Sequence, residues 1–185
     1  MDGGTIIWVV VVAAIVALIV AIALIVRARK RRSQLRDWFG PEYDRTVDEH
    51  DRRRHAERDL QERVERHEGI HLRPLSPAAR NRYDEEWHQV QESFVDRPRV
   101  ALEQAGALVT NLLRDRGYPV DDFDEQAALV SVDHPHVVDR YRTAHDIRER
   151  SEAGHVSTED LREAMVCYRS LFEEALVDDT RRESA

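Results

Sequence analysis

Two short clusters of histidine and carboxylate stand out in this chain of 185 residues. The first, His67-Glu68-Gly69-Ile70-His71, is an H-E-x-x-H string. On a helix this spacing turns two imidazoles to one face, where they bind Zn²⁺ and leave the Glu to activate the metal's water. Its surroundings argue against that use. Gly69 weakens a helix by about 1 kcal/mol, and Pro74 follows soon after. Glu65, Arg66 and Arg73 stand where a zinc-protease helix carries uncharged neighbours. The string therefore falls where a charged helix ends, with His71 past it, and it reads as two solvent-exposed histidines.

The second cluster, Asp133-His134-Pro135-His136, offers two imidazoles and a carboxylate to a metal or a proton-transfer network. A helix start explains it more simply, with Asp133 capping and Pro135 near the first turn. Cys167 is the sole cysteine, so the chain forms no internal disulfide, which fits a reducing compartment. It lies at the edge of an apolar helix face and reads as a packing residue. There is no glycine-rich phosphate loop, G-x-S-x-G elbow or C-x-x-C pair. The expectation is a chain without catalytic residues, cofactor or metal, with His67 and His71 as the alternative metal ligands.

The elements that carry these clusters begin with an anchor. Residues 6–26 are unbroken apolar sequence, fifteen of the 21 being Val, Ile or Leu. At about 1.5 Å each, they cover the roughly 30 Å of bilayer hydrocarbon as one helix. A cleaved signal peptide would carry a basic n-region, but residues 1–5 have none, and Ala21-x-Ala23 lies inside the run. Arg27, Arg29, Lys30, Arg31 and Arg32 follow at once. By the positive-inside rule they place residues 1–5 outside and the rest on the cytoplasmic side of a plasma membrane, with the basic block near anionic headgroups. Ala13, Ala17 and Ala21 recur every four residues, a small-residue face through which two copies could pair in lipid.

The remainder is acidic. Residues 1–32 hold five basic side chains and one acidic, so the net charge of −8 leaves −12 for residues 33–185. A nucleic-acid partner, whose phosphates reward a basic face, is excluded on that ground.

Helical spacing recurs through this part, and the fold class expected is all-α. After the polybasic segment 27–36, residues 37–70 read as a long, exposed, charged helix, a stalk with few apolar points. Residues 71–178 read as a compact helical bundle, and 179–185 as a disordered tail. Ser76-Pro77 opens a helix with Tyr83, Trp87, Val90 and Phe94 on one side. Pro98 opens the next, which Gly117-Tyr118-Pro119 closes. A short helix from about Asp121 and another after Pro135 follow, the latter ended by Gly154. Ser157 and Asp160 form a capping box before the most amphipathic stretch, Leu161 through Leu176.

Five strings carry a resemblance: Phe39-Gly40-Pro41-Glu42-Tyr43, Arg73-Pro74-Leu75-Ser76, Arg116-Gly117-Tyr118-Pro119, Ser131-Val132-Asp133-His134-Pro135, and Tyr168-Arg169 with Leu171-Phe172-Glu173. Together they resemble a group of actinobacterial single-pass membrane proteins of uncharacterised function. The resemblance implies a bacterial plasma-membrane protein with a helical domain, and it carries over no activity or site residue. The function expected is a membrane-anchored, non-enzymatic interaction or scaffold module with a protein partner. The alternatives are a zinc-dependent hydrolase on His67, Glu68 and His71, and a structural protein that self-assembles as a homodimer or larger.

Overall fold

The computed structural model describes the backbone of residues 3–182 and the side chains of Trp8 and residues 15–177. Among the described residues every regular element is an α-helix: α1 Gly3–Phe39, α2 Pro41–Glu49, α3 Arg53–Glu68, α4 Pro77–Asp96, α5 Pro98–Arg116, α6 Phe123–Asp133, α7 Val138–Glu152 and α8 Thr158–Arg182. The chain divides into two compact units, Met1–Trp38 and Phe39–Ala185.

The first unit is helical throughout its described length. Residues 15–26 are exposed, as are Arg27, Arg29, Lys30 and Arg31, and Arg32 is half-buried. Ala17 and Ala21 are exposed as well, and the side chain of Ala13 lies outside the described residues. Among the described residues no helix is long and apolar enough to cross a membrane. The expected span at 6–26 falls partly outside them, because the side chains of residues 6, 7 and 9–14 are not described. What is described, residues 15–26, gives about 18 Å of apolar helix before the basic block begins.

In the second unit α5 is the central helix. It packs against α4, α7 and α8, while α7 and α8 pack on each other and α6 on α7. Leu102, Ala105, Val109, Leu112 and Leu113 of α5 meet Tyr168, Leu171, Phe172 and Ala175 of α8 in one core. Local chemistry sets the boundaries. The Ser76 hydroxyl accepts from Ala79 N–H at 3.1 Å with Pro77 behind it. Asp122 accepts from Glu125 N–H at 2.7 Å. Ser157 and Asp160 bond reciprocally, at 2.7 and 3.1 Å. Gly117 ends α5 in the left-handed region, φ 101°. A Cβ there would lie 2.5 Å from the His71 carbonyl, so the α3–α4 connector runs directly over it.

Three expectations are corrected. The charged stretch 37–70 is not one exposed stalk. It breaks at Gly40 (φ 49°) and again around residues 50–52, giving α2 and α3, which pack on each other, while α3 packs on α6. Glu42, Tyr43, Thr46, Ala56, Leu60 and Arg63 are buried, so this stretch belongs to the folded unit. The tail is helical as far as Arg182, and residues 183–185 lie outside the described set. Asp133 is the last residue of α6 and not the cap of α7, whose start at Val137 has no side-chain cap.

Candidate functional site

The two histidine clusters meet in the fold, in a way their spacing does not foretell. His67 is on the last turn of α3, and its Nε2 lies 2.5 Å from Asp133 Oδ2 at the end of α6. The Tyr118 hydroxyl donates to the same carboxylate oxygen. His67 is therefore half-buried and engaged, not solvent-exposed. α3 ends at Glu68, and His71 lies in the extended connector beyond it, exposed. The helical geometry that would aim both imidazoles at one ion is not formed. Among the described residues no group of three His, Cys, Asp or Glu side chains is placed to hold a metal ion. Asp133 instead ties the end of α3 to the residues that follow α5.

His134 and His136 point to different surroundings. His134 is buried, with Nδ1 3.2 Å from Glu174 of α8 and Nε2 without a protein partner. His136 is exposed, and its ring lies beside the bare Cα of Gly40. Both line a cleft of about 490 Å³ together with Arg140, Ser170 and Glu173. Cys167 is buried, and burial, with the charge of Glu163, pushes its thiol above the ordinary range.

A carboxylate that reads in sequence as one charge among many is held by two guanidinium groups. Glu42 is fully buried. Its Oε1 accepts from Arg63 Nη1 of α3 at 2.7 Å and from Arg142 Nη2 of α7 at 2.8 Å, and its Oε2 accepts from Arg142 Nη1 at 2.7 Å. Burial alone would raise its pKa, but the hydrogen bonds and charges of Arg142 and Arg63 hold it below the ordinary carboxylate range. Glu42 thus locks α2 onto α3 and α7. The arrangement is a structural clamp.

What the unit presents outward is a groove between α4 and α8. Trp87, Phe94, Met165 and Val166 form its apolar floor, over about 300 Å³, with Gln91, Arg162 and Arg169 on its edges. Val166 is 57% exposed, and Val95 beyond the groove 83%. Phe172 stacks on the Trp87 indole at 4.7 Å, which fixes the ring, yet the buried indole N–H has no protein acceptor. The amphipathic spacing of α4 places Trp87 and Phe94 on this side, but the same spacing is equally consistent with full burial, so an open groove has no sequence signal. The arginine edges, Arg162 and Arg169, are seven residues apart and share one face of α8.

Comparison of the chain with protein-family models, curated proteins and solved structures gives no match.

Proposed function

We propose that this protein is a membrane-tethered, non-catalytic docking module, whose groove between α4 and α8 receives an acidic amphipathic helix from a protein partner. The groove is the observation that carries the reading. It combines an apolar floor with two guanidinium groups spaced by two helical turns, whose present partners, Glu159 and Glu173, are exposed carboxylates of α8 itself. An incoming helix would bury its apolar face on Trp87, Phe94 and Val166, and set carboxylates against Arg162 and Arg169.

The tether is residues 6–26 of α1. The described part of that run is apolar on all sides and exposed, and such a helix needs lipid or protein around it. The basic block after it favours the orientation with residues 1–5 outside and the folded unit at the inner leaflet. Neither histidine cluster supplies the paired geometry that hydrolysis on a metal requires.

Site-specific photocrosslinking tests the docking. With benzoylphenylalanine at position 91, the full chain in native membranes should give one discrete adduct, and its crosslinked segment, read by mass spectrometry, should be an acidic amphipathic helix. The adduct should disappear in Val166→Glu, a change at an exposed position that leaves the fold intact, and should not form from a crosslinker at position 140. An adduct that survives Val166→Glu, or no adduct at all, would refute the docking.

A further inference from the structure

A second recess, apart from that groove and open on one side, is lined by α5, α6, α7, α8 and the connector between α5 and α6. It has a volume of about 400 Å³, and Thr110, Gln126, Tyr141, His145, Arg148 and Tyr168 are among the side chains that line it. Within it the Tyr141 hydroxyl donates to Gln126 Oε1 at 2.7 Å. That fixes the amide, so that Gln126, 2% exposed, holds its Nε2 donor buried without a partner. Arg148 gives one guanidinium N–H to His145 Nδ1 at 3.3 Å, while its Nε is likewise buried and unpaired.

The placement of Arg148 is built into the sequence. A Cβ at position 106 would lie 2.8 Å from Arg148 Nη1 and 3.1 Å from the Tyr168 hydroxyl, so Gly106 leaves α5 bare where the guanidinium and phenol lie. Phe123 stacks on the His145 ring at 3.5 Å and 6°, forming a flat wall. Burial first, then the Arg148 charge, hold His145 below the ordinary histidine range, in keeping with its Nδ1 accepting from Arg148.

A buried donor without an acceptor is costly, and here the side chains that carry two of them line one recess. Among the charged side chains of the lining are the guanidinium groups of Arg148 and Arg114 and one carboxylate, Asp121, which is exposed. Behind the lining, Glu149 lies 3.2 Å from His145 Nε2, while Glu103 and Asp124 act on the site through their charge. We propose that this recess binds an oxyanion, the carboxylate or phosphate group of a small molecule, through Gln126 Nε2 and the Arg148 guanidinium, with Phe123 and His145 as the apolar wall.

The test uses the full chain in zwitterionic nanodiscs, titrated separately with inorganic phosphate and with acetate. The readouts are the Gln126 side-chain NH₂ resonances and the thermal midpoint. A parallel sample in anionic-lipid nanodiscs, with no added anion, tells a lipid headgroup from a free ligand. Saturable shifts of the Gln126 amide in either arm support the site, and the arm identifies the source. Gln126→Glu keeps the Tyr141 acceptor and reverses the sign at the site, and Arg148→Gln removes the cation. Each should weaken binding at least tenfold, while Arg58→Gln, at an exposed position of α3, leaves it unchanged. Gln126 resonances that stay unmoved in every arm of the unsubstituted protein, or shifts equally strong in Arg148→Gln, would overturn the proposal.

Discussion

Glu42 shows what a single residue can fix and what its sequence neighbourhood conceals. It lies in a stretch dense with charge, where a carboxylate is ordinarily solvated, and its burial depends on Arg142, one hundred positions away. No local pattern reports such a pairing. Replacing it by Gln leaves two guanidinium groups facing a neutral amide, and global stability should fall by about 3–5 kcal/mol in chemical denaturation. The clamp also has a pH signature. Because the folded carboxylate titrates below its ordinary value of 4.5, the unfolded chain binds the proton more readily. Its stabilisation is complete above that value and is lost as pH falls through the lowered folded pKa. At matched starting stability, acid unfolding followed by circular dichroism should therefore shift to lower pH in Glu42→Gln, which lacks this titrating group; an unchanged midpoint would show that the clamp is not a source of the acid sensitivity. Asp133 was legible as important but not in its role: the sequence reads it as a helix cap, whereas it receives His67 and Tyr118. Asp133→Asn should cost about 1–3 kcal/mol and release the end of α3, seen as faster amide exchange at residues 64–68.

At the level of elements, the boundaries set by short-range chemistry are those the sequence states openly. Ser76-Pro77, Gly117 and the Ser157–Asp160 pair each act within a few residues, and each helix end lies where they put it. Ser157→Ala should cost about 1 kcal/mol through loss of the α8 cap. Gly117→Ala should cost more than 1 kcal/mol or so, since it adds backbone strain at positive φ to a clash with the His71 carbonyl. A melting curve in which Gly117→Ala matches the unsubstituted protein would contradict the close approach of that connector. The division into α2 and α3 is the element the sequence hides. Ala56, Leu60 and Arg63 keep helical spacing, but an arginine takes one place in the buried stripe because Glu42 and Asp59 neutralise it. Charge therefore masks a packed face. The groove between α4 and α8 is illegible for a different reason: periodicity tells which face is apolar, not whether a neighbour covers it.

For the molecule as a whole, the proposed function joins a folded unit that performs no chemistry with a helix that holds it at a membrane. The all-α character was readable from periodicity alone. The tether rests on residues 6–26 and the five basic residues behind them. Its most direct test is fractionation of the full chain from native membranes, with a reporter enzyme fused after Ala185. The proposal predicts that the chain resists alkaline carbonate extraction, keeps its first 26 residues, and shows reporter activity only on the inner side of the membrane. A chain released by carbonate, or a reporter active on the outer side, would contradict it.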